Sequence, residues 1–250
     1  SKKEVFMEGI AGVVKDGVLP GYYGYESGQS AVGDIFAWVV NYGVPESYHI
    51  ESKKLGISLH ELLIRKNTYQ TAKGCELIAL DWLNGNRSVL MNSNLNGLLI
   101  GLTLNTKPED IYRAMIEATA FGTKMIINGY EESGVKIKEL YACGGLTNNR
   151  FLLQIYSDIT ELDIKVAASS QTTALGGAIL GAMAAGSKRE GYDSYEEAIS
   201  KMTKPTQKLY KPNRKNQRTY NEMFKNYVLL HNFFGRENPS IMKSVKSFVK

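Results

Sequence analysis

Apolar residues recur at helical spacing most clearly after Pro108. Ile111, Met115, Ala118, Phe121, Met125 and Ile126 fall on one face and Gly134 supplies a stop, so the spacing predicts a long amphipathic helix. A short β-like apolar run at 5–14 precedes the turn signal Asp16-Gly17. The stretch 20–28, rich in glycine and tyrosine, leads into a predicted helix over 30–42, and residues 43–75 read as mixed and partly helical. Residues 79–87 read as a short strand running into a polar loop. Beyond the long helix the pattern alternates: strand at 137–143, a turn at Gly144-Gly145, helix at 149–160, strand at 164–168, helix at 172–185. That rhythm predicts a layered α/β architecture. The tail from residue 195 reads as helical, with Tyr220, Met223, Phe224, Tyr227 and Val228 as its packing stripe. With no internal repeat and no long linker, one domain is the economical reading.

Composition narrows the class. Of 250 residues, 43% are hydrophobic and 22% charged, an ordinary globular balance. Two cysteines, Cys75 and Cys143, cannot build a disulfide framework, and without a CxxC or Cys/His cluster no metal site is expected; a reducing cytoplasm fits. The longest apolar run, at 174–185, is too short to span a bilayer, and no secretory signal opens the chain. The net charge of +5 raises nucleic acid as a partner, but the lysines are dispersed along the chain, as on a solvated surface, so neither nucleic acid nor membrane is expected. The absence of a starting methionine points to a processed or truncated chain.

Several residues stand out chemically. Gly144-Gly145, where a strand meets a helix, lets a ligand approach free backbone N–H groups; it is neither a Walker loop nor a GxGxxG fingerprint, and an unliganded tight turn is the alternative. Asn148 and Asn149 are placed either to cap the following helix or to hydrogen-bond a purine or ribose. Gly33, inside the predicted helix, costs about 1 kcal/mol relative to alanine, which asks for close packing or a ligand. For Gly176, Gly177 and Gly181, beside Ala174, Ala178 and Ala182, close packing is the expectation. Glu26 is a lone carboxylate among glycines and aromatics, which composition alone assigns to a surface turn. Asp81-Trp82 with Asn84 and Arg87 is the polar-plus-aromatic mix of a sugar site, or an ordinary loop over a buried tryptophan. His49, His60 and His231 are scattered and form no nucleophile arrangement in sequence.

Taken together these segments resemble the C-terminal domain of the FGGY carbohydrate kinases. Gly97-Leu98-Leu99-Ile100-Gly101-Leu102, seven residues, then Asp110-Ile111-Tyr112-Arg113-Ala114-Met115-Ile116-Glu117 fits the family's second signature. Gly144-Gly145 through Asn149 and Gln154, followed by Ala174-Leu175-Gly176, resembles its adenosine-binding segment. Residues 25–38 and 80–87 look like the branch that phosphorylates L-ribulose rather than the glycerol or xylulose kinases.

The resemblance implies an α/β fold of the actin-like ATPase (ribonuclease-H-like) type, a mixed sheet flanked by helices. Residues 1–250 would be the C-terminal nucleotide-binding domain, with tail helices from about 195, and the N-terminal sugar and phosphate domain would be absent. ATP and Mg²⁺ are the implied cofactors and a ketose the implied substrate; a homodimer is left open. Gly33 and Ala37 would line the nucleotide pocket from one side, and Gly144, Gly145 and Asn149 from the other. Glu26, Asp81 and Trp82 would bind the sugar, which reverses the composition-based reading of Glu26. No catalytic residue is assigned, because the family's general-base aspartate and first phosphate loop are expected upstream of residue 1. The turn between the glycine pair and the asparagine is one residue shorter than the related kinases have, which leaves Asn148 and Asn149 both open as the nucleotide contact. Another sugar or polyol kinase of the family, and a non-catalytic nucleotide-binding module, are the competing readings.

Overall fold

A computed structural model describes residues 1–67, 76–206 and 208–248. Contacts divide the chain into two compact units. The first comprises Ser1–Ile137, Asp158–Thr160 and Asn213–Lys250; the second comprises Lys138–Ser157 and Glu161–Pro212.

The first unit opens with an antiparallel hairpin, β1 (Gly12–Lys15) and β2 (Tyr23–Glu26), paired Gly12 to Glu26. The extended run anticipated from residue 5 does not form. Gly9 turns the chain at φ +75°, and a Cβ there would lie 2.1 Å from the Val89 carbonyl oxygen. Asp16 closes the hairpin as anticipated, its Oδ1 accepting the Gly21 N–H at 2.6 Å. Helices α1 (Gly33–Tyr42), α2 (Glu46–Leu55) and α3 (Leu59–Lys66) follow. Gly33 is therefore the first residue of α1 rather than an interior one, so the helix-interior penalty does not arise. Cys75 lies outside the described residues. Strands β3 (Ile78–Leu80) and β4 (Leu98–Ile100) pair antiparallel.

Helix α4 (Pro108–Glu132) is the spine of this unit, packed against α1, α3, β3 and α8 (Arg214–Asn232). Pro108 occupies its first turn, Asp110 accepts the Lys107 N–H at 2.9 Å, and Gly134 at φ +86° follows its end. It is not the one-faced helix its apolar spacing predicts: every residue from Tyr112 to Gly122 is buried. That includes Arg113 and Glu117, whose side chains pair one turn apart at 2.7 Å, so the polar face satisfies itself instead of facing water. In α8 the buried residues Tyr220, Met223 and Tyr227 follow the anticipated stripe, flanked by Asn216 and His231. A π-helical turn, Phe233–Glu237, and α9 (Pro239–Ser247) complete the unit.

The second unit is built on a three-stranded mixed sheet. Strand β5 (Leu140–Ala142) runs parallel to β6 (Ile164–Val166), and β7 (Lys208–Tyr210) adds antiparallel to β6. The strand β7 interrupts the anticipated helical tail between α7 (Tyr195–Met202) and α8. Helix α5 (Arg150–Thr160) connects β5 to β6, and α6 (Thr172–Ala185) follows β6. The close packing anticipated around Gly176, Gly177 and Gly181 is not found: a Cβ at each would meet nothing within 4 Å. Among the described residues no helix is long and apolar enough to cross a membrane.

Candidate functional site

In the first unit, two loops carry the residues singled out for a sugar. Glu26 ends β2 with an exposed side chain, and its Oε1 accepts from Arg87 Nη2 at 2.5 Å. Two residues on, the Gly28 N–H donates to Ser88 Oγ while the Ser88 N–H donates to the Gly28 carbonyl, both at 3.2 Å. Ser27 and Tyr130 share a hydroxyl–hydroxyl hydrogen bond that ties the loop to α4. The Gln29 amide reaches inward to Asp81 and to the Thr119 carbonyl, and its own carbonyl accepts from Thr123 at 3.0 Å. The 81–88 loop thus fastens the 26–29 loop at several points.

Asp81 and Trp82, also singled out for the sugar, are buried. Asp81 is 5% exposed and Trp82 1%. The Asp81 carboxylate accepts from Gln29 at 2.7 Å and from the Tyr227 hydroxyl at 3.2 Å. Burial pushes its carboxyl up to about 6, against the pull of those hydrogen bonds. Trp82 packs edge-on against His231, ring centroids 5.3 Å apart, with its indole nitrogen buried. Both are core residues that hold the loop from behind, while Glu26 is the carboxylate that faces outward.

Helix α1 presents Gly33 and Ala37 one turn apart, the first exposed and the second half-buried, opposite the buried side chains of Ile35, Phe36, Val39 and Val40.

In the second unit the chain leaves β5 into Gly144, at φ +86°, then a 3₁₀ turn, Gly145–Asn148, and α5. Gly144 is required by its backbone conformation. Gly145 is not: its φ is ordinary and a Cβ there would meet nothing within 4 Å. Asn149 caps α5, its Oδ1 accepting the Leu152 N–H at 3.0 Å, while its amide nitrogen has no partner among the described residues. At the same C-terminal edge of the parallel strands lies a cavity of about 410 Å³, lined by Tyr141, Ala167, Ser169, Thr172, Leu175 and Lys204 among others. Sequence reading passed over Thr172 and Lys204, since a threonine in a first helical turn and a lysine in a basic stretch carry no distinguishing signal. Among the described residues no three acidic, histidine or cysteine side chains gather as a metal site.

Residues 1–185 match the C-terminal domain of the FGGY family of carbohydrate kinases. The chain is 50% identical to the ribulokinase of Geobacillus thermodenitrificans, covering 98% of this chain and 43% of that protein. It is 40% identical to the ribulokinase of Staphylococcus aureus strain Newman, covering 99% and 45%. The chain thus spans less than half the length of these relatives. In structure it resembles ligand-bound xylulose kinase from Lactobacillus acidophilus, with a TM-score of 0.73 at 20% identity over 89% of this chain and 43% of that one. Glycerol kinase with ADP from Plasmodium falciparum gives a TM-score of 0.68 at 19% identity over 91% and 43%. At such identities the likeness is one of fold, the actin-like α/β fold of the sugar kinases.

Proposed function

This chain belongs to the FGGY family of carbohydrate kinases, and from that premise we propose that it is the nucleotide-binding part of a longer kinase acting on L-ribulose. The reaction moves the γ-phosphoryl group of MgATP to a sugar hydroxyl and yields L-ribulose 5-phosphate. The observation that carries this reading is the 50% identity to a ribulokinase over 98% of the chain.

Phosphoryl transfer asks a protein chiefly for positioning and charge neutralisation. In this reading the adenosine rests against the Gly144-Gly145 turn, with the Asn149 amide nitrogen donating to it. Gly145 supports this, because among the described residues nothing lies within 4 Å of a Cβ built there and its φ is ordinary. In this reading ATP brings Mg²⁺ on its own phosphates. Glu26, an ionisable acceptor with an open flank, takes a sugar hydroxyl. Asp81 and Trp82 serve the sugar indirectly by fixing the loop. Glu26 orients the sugar rather than abstracting its proton; we assign the general base to the remainder of the longer polypeptide. Such a reaction belongs in the cytoplasm, where ATP is made.

The test is product analysis of the full-length kinase with MgATP and a panel of L-ribulose, D-xylulose and glycerol. L-ribulose 5-phosphate as the preferred product sustains the proposal. Turnover of xylulose or glycerol with none of L-ribulose transfers the chain to another branch of the family, and no turnover of any sugar leaves a nucleotide-binding module.

A further inference from the structure

We propose that Arg87 is a positioning residue for the sugar: it holds one carboxylate oxygen of Glu26 so that the other is presented to a substrate hydroxyl. The proposal rests on the reading of Glu26 as a sugar contact given above.

The geometry makes the pair more than a surface salt bridge. Its side chains are 48% and 68% exposed, and exposed pairs of this kind contribute little to stability. Stability alone therefore gives little reason to build it. Yet the loop that delivers Arg87 is unusually well fixed. Asn86 and Asn92 exchange backbone hydrogen bonds at 2.8 and 2.9 Å, and Asn86 Oδ1 accepts the Leu90 N–H at 3.0 Å. Gly85 turns at φ +75° where a Cβ would lie 2.7 Å from the Ser93 Cα. Ser88, 4% exposed, locks to Gly28 in both directions. The guanidinium then lies along the Gly28 backbone, where a Cβ would be 3.5 Å from Nη1, before Nη2 reaches Glu26.

The consequence for Glu26 is directional. Oε1 accepts from Arg87, and among the described residues Oε2 has no partner. An ionised carboxylate is an acceptor only, so the group it is prepared to meet is a donor such as a sugar hydroxyl. A free glutamate side chain at the end of a hairpin strand samples many rotamers and loses that freedom on binding. One already tethered through a charge-assisted hydrogen bond to Arg87 loses less, and the saving falls on ground-state sugar affinity.

The experiment is steady-state kinetics of the full-length kinase with Arg87→Ala, Arg87→Lys, Glu26→Gln and the double variant Glu26→Gln/Arg87→Ala, varying ketose and ATP separately. Arg87→Ala is expected to raise the ketose KM roughly tenfold, with kcat and the ATP KM within about twofold, the pattern of lost ground-state binding. Arg87→Lys should fall between wild type and alanine, because it keeps the charge but not the planar guanidinium that sets the direction of the bond. In the Glu26→Gln background, Arg87→Ala should add less than about twofold, since two residues acting through one contact are non-additive. Multiplying losses would mean that Arg87 binds the substrate on its own account and would overturn the proposal. An unchanged ketose KM in both Arg87 variants, beside a raised one in Glu26→Gln, also overturns it but leaves the subsite standing. An unchanged ketose KM in Glu26→Gln removes the subsite and the proposal together. Should Arg87→Ala fail to fold, Arg87→Lys and its double with Glu26→Gln decide the same question.

Discussion

Gln29 donates its side-chain amide to the buried carboxylate of Asp81 at 2.7 Å and to the Thr119 carbonyl at 2.8 Å, tying the loop beyond β2 to β3 and to the middle of α4. The tie sits three residues from Glu26, so the order of the candidate sugar subsite and the integrity of the core are one problem. Replacing Gln29 by alanine leaves a buried carboxylate short of a partner. The expected loss is about 2 kcal/mol of unfolding free energy, read by urea titration near pH 7.5. A change below about half a kcal/mol there would mean that water replaces the amide.

Gly122 lies inside α4, where alanine normally adds about 1 kcal/mol of helix stability. Here a Cβ would sit 2.6 Å from Gln29 Nε2 and 3.2 Å from an Asp81 oxygen. The tip of Gln29 is not free to move aside, because both its polar ends are hydrogen-bonded. Loss of a hydrogen bond to a charge, about 1.5–3 kcal/mol, outweighs the propensity gain. Gly122→Ala should therefore lower the thermal midpoint; a raised midpoint would show that propensity wins.

Asp81 also sets a pH dependence. Its carboxyl is raised from 3.8 to about 6, chiefly by burial. The native state therefore holds a proton that the unfolded chain has released in the interval between those values. Stability from this residue is fullest below about pH 4 and is lost as pH rises through about 6, a change of about 3 kcal/mol for a shift of about two units. Asp81→Asn cannot titrate, so the unfolding free energy of the wild type relative to this variant should fall as pH is raised from 4 to 7. A constant difference across that range would place the proton elsewhere.

The order of elements was legible from periodicity because apolar spacing reports it directly: α6 begins and ends at the residues its pattern marks, Thr172 and Ala185. Burial was less legible. The apolar spacing of α4 gives no sign that Arg113 and Glu117 are buried, since a sequence cannot show that two charges four residues apart will neutralise each other inside the core. Asp81 and Trp82, offered by the sequence as sugar contacts, are buried. A carboxylate beside an indole looks alike whether it faces a ligand or the interior, and only the partners Tyr227 and His231, far along the chain, settle the direction. The tie between Glu26 and Arg87 spans 61 positions and follows no local period, so neither residue announces the other.

The buried pair in α4 allows a sharp comparison. Arg113 Nε donates to Glu117 at 2.7 Å, Nη1 to Asn67 at 3.1 Å and Nη2 to the Tyr220 hydroxyl at 3.2 Å, which in turn donates to Glu117 at 3.0 Å. Glu117→Ala strands a guanidinium in the core and should cost about 3–5 kcal/mol. Replacing both charges at once, as Arg113→Met/Glu117→Met, should cost markedly less, because no lone charge remains. Denaturant titration of the single and double variants separates the two cases. A double variant worse than Glu117→Ala would mean that the network contributes more than its own desolvation cost.

Asn149 performs a visible structural task and is proposed for a second one, and the two can be pulled apart. Its Oδ1 caps α5 through the Leu152 N–H, while its amide nitrogen is available to a nucleotide. Asn149→Ala removes both functions, so lost ATP binding in that variant would be ambiguous with a frayed helix, whose cap is worth about 1 kcal/mol. Asn149→Asp keeps the capping acceptor and favours the helix dipole, yet replaces the donor with a second acceptor. It should unfold within about half a kcal/mol of wild type while binding MgATP roughly tenfold more weakly by calorimetry, the scale of one lost hydrogen bond to a ligand. Wild-type affinity in Asn149→Asp would confine Asn149 to its capping role and make the exposed Asn148 the residue to vary next.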